Sequence, residues 1–358
     1  MSGVLRTFVY SQHPSRVIFG PGSIARLPEE ADRLGLKRVA VLSMPPQAAA
    51  ADHLSKQLAG RFATAFSSAA MHTPIEVAEA ALKLVRERQV DGLVAFGGGS
   101  TTGLSKVLAL RTDLPQIVIR TTYAGSEMTP ILGATEAGQK VTLRSPKVLP
   151  EVVIYDVDLT MSLPSSLSAT SGINAMAHAV EALYAEDRNP VVDLLAMDAI
   201  GAMFRALPRI SADGLDQGAR AEALYGAWLC GMCLGAVGMA LHHKLCHALG
   251  GTFDLPHAET HTVILPHALA YNASAVPDVI AKLKTALATD DPSRALFELA
   301  GRVGAPRSLK TLGMPVEGID KATDLVLSSP YANPRRLERD ALRRLLERAY
   351  SGLPPIID

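Results

Sequence analysis

The sequence predicts two parts: a doubly wound α/β domain over residues 1–162 and an all-α domain over residues 163–358. Three observations carry that expectation. Short β-branched runs alternate with helix-patterned stretches through the first third of the chain. A glycine run, Gly97-Gly98-Gly99, stands where one such strand passes into a helix. From Leu163-Pro164 onward the apolar period is almost wholly helical, which sets the boundary near residues 160–164. A chain of 358 residues is long enough for two cores.

Taken in order, Thr7–Tyr10 and Arg16–Gly20 read as a short opening hairpin, followed by a helix across Ile24–Leu34. Arg38–Ser43 is continuous and β-branched, the pattern of a strand buried on both faces. A helix over Ala48–Leu58 follows, then another over Glu76–Glu87 opened by Thr73-Pro74, with proline near the first turn. Gly92–Phe96 and Gln116–Arg120 are further strands, with a helix after the glycine run between them. Ile131–Glu136 and Gln139–Leu143 alternate around Ala137-Gly138, a hairpin pattern, and Val152–Asp156 closes the strand series. Helices are then expected over Ser166–Tyr184, Val191–Ala206 and Ala219–Leu249, with several more to Arg348.

Composition narrows the partners. Apolar residues make up 48% and charged residues 20%, an ordinary globular balance. Lys+Arg and Asp+Glu number 35 each with no basic stripe, so nucleic acid and anionic membrane are not expected partners. The N-terminus lacks the basic-then-apolar pattern of a signal peptide, and three cysteines, an odd number, suit a reducing compartment; the expected location is cytoplasmic. Cys230 and Cys233 form a C-x-x-C pair inside an apolar helical run, where packing is the expected role. Ala223–Leu241 carries no charge and is long enough to raise a membrane span. It stands alone and runs straight into His242, His243 and Lys244, so a central buried helix is the better reading.

The candidate chemistry lies in Leu241–His261, which holds five of the ten histidines. His243 and His247 are four apart and share a helix face; His257 follows a glycine break at Gly250-Gly251 and stands on a loop behind Pro256. Upstream, Asn174 and His178 are also four apart on an expected helix. A lone histidine usually packs, caps or faces water. Several brought together make a site, because imidazoles serve as ligands, acids or bases.

The Gly97-Gly98-Gly99-Ser100 turn has a physical use of its own. Glycines let the backbone approach a ligand, and the free N–H groups of the following helix attract phosphate. By itself such a turn is a weak signal, and it is not the G-x-G-x-x-G fingerprint.

These motifs together resemble the iron-containing alcohol dehydrogenase superfamily. H-x3-H-x9-H after a helix carrying (D/N)-x3-H is similar to its metal-ligand pattern. Gly97–Lys106 resembles its GGGSxxDxAK pyrophosphate loop, with Gly103 in place of Asp, and Thr121–Pro130 resembles a shortened PTTAGTGSE segment. GGGSTTGL together with TTYAGSEMTP is similar to the maleylacetate reductase branch, and the likeness runs from RVIFGPGS to Asn333–Arg335. The resemblance implies a dinucleotide-binding α/β domain, an all-α catalytic domain of dehydroquinate synthase-like architecture, and an active site in the cleft between them. It also implies a cytoplasmic homodimer acting on a small dicarboxylate.

For the cofactor, the resemblance implies NADH, with NADPH tolerated because Ser43 stands where many members carry an Asp that repels a 2′-phosphate. Gly97, Gly98, Gly99, Ser100, Thr121, Thr122, Ser126, Lys140 and Ser43 are then the cofactor residues. The superfamily metal set maps onto Asn174, His178, His243 and His257, with an amide where the family has a carboxylate. Three imidazoles alone can hold zinc, but iron(II) gains much from a carboxylate. The resemblance therefore implies reduction of the C=C bond of maleylacetate to 3-oxoadipate without a metal. His243 and His247 serve as electrophile and proton donor, charging near neutral pH, while His178, His257 and Asn174 orient the substrate. Tyr123, Lys140 and Arg335 complete the expected substrate contacts. The alternatives are a metal-dependent alcohol dehydrogenase of the same superfamily and a dehydroquinate-synthase-like lyase.

Overall fold

In a computed structural model the described residues are all but 1–6, 12, 14, 72, 137–138, 329–330 and 358; the side chains of 134–141 are also outside the description. The described residues divide into two compact units, one within 13–163 and the other from 164 onward, with residues 7–11 grouped with the second.

The first unit is an α/β layer structure. Strands β1 (Arg16–Phe19), β2 (Val39–Leu42), β3 (Phe62–Phe66), β4 (Gly92–Gly97), β5 (Gln116–Arg120) and β8 (Val152–Tyr155) form one sheet in the order β1-β8-β5-β4-β2-β3. Every pairing in it is parallel. The inner strands β2, β4, β5 and β8 are buried throughout, as their unbroken apolar runs require. Alternate residues serve opposite faces. Ala40, Leu42 and Leu93 pack against α3 (Ile75–Glu87) and α4 (Gly99–Thr112). Val39, Val41, Val94, Phe96, Ile117 and Ile119 pack on the other face against α1 (Leu27–Arg33) and α2 (Ala48–Leu58). A separate antiparallel hairpin joins β6 (Ile131–Glu136) to β7 (Gln139–Arg144); its turn, Ala137-Gly138, lies outside the described residues.

Two readings of this unit need correction. Residues 7–10 form no strand, and β1 pairs with β8 rather than with them: Arg16 N donates to Glu151 O at 2.9 Å and Gly20 N to Tyr155 O at 3.0 Å. A parallel edge offers β1 a full ladder that no local hairpin supplies. Strand β3, FATAF, goes unannounced in the sequence because it is a half-exposed edge built largely of Ala and Thr.

The second unit is helical: α5 (Ser165–Ala182), α6 (Pro190–Ala212), α7 (Gln217–Ala236), α8 (Leu241–Phe253), α9 (His257–Asn272), α10 (Pro277–Leu287), α11 (Pro292–Arg302), α12 (Gly318–Leu327) and α13 (Arg339–Ser351). Local signals start several of them. Asn189 Oδ1 caps α6 by accepting from Val192 N, with Pro190 at the first position, and Asp216 caps α7 by accepting from Ala219 N. One core gathers α8, α9, α12 and α13 around Leu241, Leu245, Cys246, Ile264, Leu342 and Leu346. Cys230, Cys233 and Cys246 are all free and buried; burial pushes the Cys233 thiol up to about 12, consistent with packing.

The helix expected over Ala219–Leu249 is two helices. α7 and α8 meet at 95° across residues 237–240. Among the described residues no single helix is long and apolar enough to cross a membrane. The expected break at Gly250-Gly251 is absent, since α8 runs to Phe253 and ends at Asp254 in the left-handed region (φ 53°). His257 is therefore the first residue of α9 and not a loop residue.

Candidate active site

In the α/β unit the glycine turn closes β4 and opens α4. Gly97 has φ 145°, a conformation that disfavours any side chain, and a Cβ there would lie 2.6 Å from Gln47 Oε1. Gly98 is the N-cap of α4, with no side chain capping the helix. A Cβ on Gly98 would meet Thr122 at 3.3 Å, whereas around Gly99 nothing lies within 4 Å. The result is an uncapped helix N-terminus approached by bare backbone, which suits a pyrophosphate. Replacing Gly98 with Val is expected to lower dinucleotide affinity at least tenfold, about 1.4 kcal/mol, with the fold intact; unchanged binding by titration would remove this loop from the site.

A buried polar network sets the facing segment. Arg120 donates from Nη1 to Thr102 Oγ1 at 2.8 Å and from Nη2 to Thr122 Oγ1 at 2.9 Å. It also pairs with the fully buried Glu127, whose other oxygen accepts from Tyr155 OH at 2.7 Å. Lys106 Nζ donates to the carbonyls of Ser126, Thr129 and Ile131 at 2.6–2.8 Å, so it staples this loop and is not spare for a phosphate. Burial lowers the Lys106 ammonium to about 7, against the raising effect of Glu127. Gln47 Nε2 donates to Thr121 Oγ1 at 3.0 Å. Ser43, at the end of β2, is fully buried with its hydroxyl bonded to Ser67 Oγ at 3.0 Å. Ser43 thus brings no charge to the strand end, and its hydroxyl is already used. Tyr123 is fully buried. Lys140 belongs to β7, and its side chain lies outside the described residues.

In the helical unit the histidines do gather, and there are more of them than the spacing argument assigned. Ring centroids of His178 and His243 are 5.1 Å apart and stacked; His242, His247 and His261 lie 5.1, 6.1 and 5.0 Å from His243, and His257 is 4.3 Å from His261. Burial grades the cluster. His247 and His257 are exposed, Asn174, His178 and His243 retain 5–7% exposure, and His242 and His261 are fully buried. Asn174 Oδ1, His178 Nδ1 and His243 Nε2 are buried atoms with no hydrogen-bond partner among the described residues, as expected of groups that meet a ligand.

The residue that organises the cluster is Glu181, which spacing alone did not single out. It lies on α5 three residues beyond His178 and seven beyond Asn174, so all three share one face. Its fully buried carboxylate accepts from the backbone N–H groups of Ala240 (3.1 Å), His242 (2.8 Å) and His243 (3.4 Å). The same carboxylate takes His243 Nδ1 at 2.6 Å. Leu241 N goes to Asn333 Oδ1 at 3.4 Å. Side chains from elsewhere in the unit thus satisfy the first N–H groups of α8, which explains why the apolar run turns at 237–240 without a local cap.

Three of the imidazoles are held neutral. Burial first, then like charge from neighbouring histidines, pushes His178, His242 and His261 well below the ordinary histidine range.

The fit to a metal ion is poor. Asn174 offers an amide where a hard divalent ion gains from a carboxylate. The nearby carboxylate, Glu181, is committed to α8 and His243. Among the described residues the donors that lie within 4.8 Å of one another are His242, Cys246 and His261, not His178, His243 and His257. Even there, His242 Nε2 and His261 Nδ1 stand at 2.9 Å, the distance of a hydrogen bond between the two rings.

Arg335 is half-buried. Its Nη1 donates to Tyr271 O at 3.0 Å, and its guanidinium stacks over the Tyr271 ring at 4.4 Å. Asn333 pairs with Asn272 amide to amide (2.8 and 3.1 Å). The Asn333–Arg335 segment is therefore a clasp on α9, and Arg335 has donors to spare beyond it.

Known proteins are similar to this chain over nearly its whole length. The family model for iron-containing alcohol dehydrogenase matches residues 14–157, and that for the C-terminal part of the Fe-containing alcohol dehydrogenase family matches residues 168–350. A maleylacetate reductase from Rhizobium sp. (strain MTP-10005) is 54% identical over 351 residues, 98% of this chain and 100% of the relative. The crystal structure of maleylacetate reductase from Agrobacterium tumefaciens superposes with a TM-score of 0.95 at 53% identity, covering 98% of this chain and 100% of that one. A putative alcohol dehydrogenase from Ralstonia eutropha JMP134 gives 0.96 at 52% identity, covering 98% and 99%. The chain belongs to the iron-containing alcohol dehydrogenase family of oxidoreductases and groups there with the maleylacetate reductases.

Proposed function

We propose that the chain reduces the C=C bond of maleylacetate to 3-oxoadipate, with NADH as reductant and without a bound metal, in the breakdown of aromatic compounds. One observation carries the metal-independent part. The position that should charge the metal set is Asn174, while the one buried carboxylate of the site, Glu181, faces His243 instead. Support for the substrate comes from relatives of 54% identity that bear the name maleylacetate reductase.

The glycine turn and the Thr121-Thr122 segment would hold the pyrophosphate part of the dinucleotide, whose nicotinamide would supply a hydride. Addition to the bond conjugated with the ketone leaves an enolate, and the carbon next to the carbonyl then takes a proton. His243 is placed for both tasks: its Nε2 is unpartnered, and Glu181 at Nδ1 offsets the positive charge of a protonated ring. Asn174 and His178 orient the substrate from the same helix, His247 and His257 meet it at the exposed side, and Arg335 clamps a carboxylate bidentately. The cytoplasmic location and homodimer carried by the resemblance belong to the same proposal.

The test is NADH oxidation driven by maleylacetate, with 3-oxoadipate identified as product. NADPH should also serve, because Ser43 brings no carboxylate against a 2′-phosphate. The kcat/KM ratio between the cofactors should stay below about 10³, or ~4 kcal/mol. A larger ratio would contradict the role of Ser43, and no turnover of maleylacetate would contradict the function.

A further inference from the structure

We infer that Glu181 is a positioning residue that fixes the tautomer of His243, keeping a proton on Nδ1 and leaving Nε2 as the nitrogen that meets the substrate. The inference rests on the reading of His243 given above, but its physical core does not depend on the substrate. The carboxylate is fully buried and 2.6 Å from His243 Nδ1, a hydrogen-bond distance, and because its oxygens already accept from three backbone N–H groups the ring is the donor. Glu181 cannot swing away, because its two oxygens also hold the N–H groups of Ala240, His242 and His243. The start of α8 and the orientation of the imidazole are therefore set by one group.

The rings around His243 bury Nε2 without bonding it. His178 stacks on it from α5; His242 and His247 flank it on α8; His261 approaches edge-on from α9. His242 and His261 are hydrogen-bonded to each other, and Nε2 of His243 has no partner among the described residues. Without Glu181 nothing in this list chooses between the two nitrogens. With its only proton on Nε2 the ring would turn the Nδ1 lone pair toward the carboxylate and would have to become an imidazolate to give that proton up; with Nδ1–H held by Glu181, Nε2 can take a proton and pass it to the substrate, leaving a neutral ring.

The experiment uses full-length protein labelled with 15N-histidine, His243 being assigned by difference against His243→Gln. The wild type should show the Nδ1–H form at His243. In Glu181→Gln the side-chain carbonyl still accepts backbone N–H groups, but the pair to Nδ1 is disturbed. The tautomer signal should shift, and kcat should fall roughly 10–10²-fold with KM for NADH and maleylacetate moved less than threefold. Glu181→Asp should restore part of both the signal and kcat. Were Glu181 only a helix cap, Glu181→Gln would change melting temperature while tautomer and kcat stayed as in the wild type, and the inference would be overturned. If Glu181→Gln fails to fold, the wild-type spectrum decides, since an Nε2–H form there overturns the inference outright. Wild type that shows the Nδ1–H form but does not reduce maleylacetate would sink the proposed function and leave the positioning role standing.

Discussion

His243→Ala is expected to lower kcat for maleylacetate reduction by roughly 10²–10⁴, the range for removing a positioned acid or electrostatic donor. The expectation follows from the charge layout of the cluster. His178, His242 and His261 are kept neutral by burial and by one another. His243 is hydrogen-bonded to a buried carboxylate, and 7% of its surface remains exposed. The variant should fold, because Glu181 keeps three backbone N–H partners when the ring is gone. His247, exposed and 6.1 Å from His243, should lose less on the same substitution. Steady-state kinetics on both variants checks the order, and a larger loss at His247 would move the proton-donating role there.

Much of this was readable from residue order. The inner strands β2, β4, β5 and β8 announce themselves as unbroken apolar runs because a parallel sheet buries both faces. The glycine turn and the i, i+4 pairs are local, so spacing places them. What escaped depends on partners far along the chain. β1 reads as half of a hairpin until β8, more than a hundred residues later, is there to pair with it. The turn between α7 and α8 has no proline and no local cap, being held by Glu181 from α5 and Asn333 from the loop before α13. A signal for Glu181 did exist: Asn174, His178 and Glu181 at i, i+4 and i+7 put a carboxylate on the face that carries the site. His242 and His261 were in view within the histidine-rich stretch, but nothing in their spacing tells that they bond to each other.

The second large effect is expected at Asn174. Asn174→Asp supplies the missing charge beside His178 and His243, so affinity for iron(II) or zinc should rise at least tenfold, about 1.4 kcal/mol or more. The same change should reduce maleylacetate turnover. A new carboxylate repels a dianionic substrate, and a captured ion would engage His178 Nδ1 and His243 Nε2, buried atoms that have no hydrogen-bond partner among the described residues. It also sits on the helix face of Glu181, adding like-charge repulsion that only an ion would relieve. Binding isotherms for Zn²⁺ with the variant and the wild type measure the first effect, and kcat/KM for maleylacetate the second. Equal affinity in both proteins would show that charge was not what the set lacked.

The measurement closest to the central claim is kcat for maleylacetate on wild-type protein after exhaustive chelation, with iron and zinc determined on the same sample. The account predicts full activity at well under one metal ion per chain, and no gain on adding either metal back. Activity that vanishes with the chelator and returns with iron or zinc would make Asn174 a tolerated ligand and would contradict the metal-independent mechanism built on Glu181 and His243.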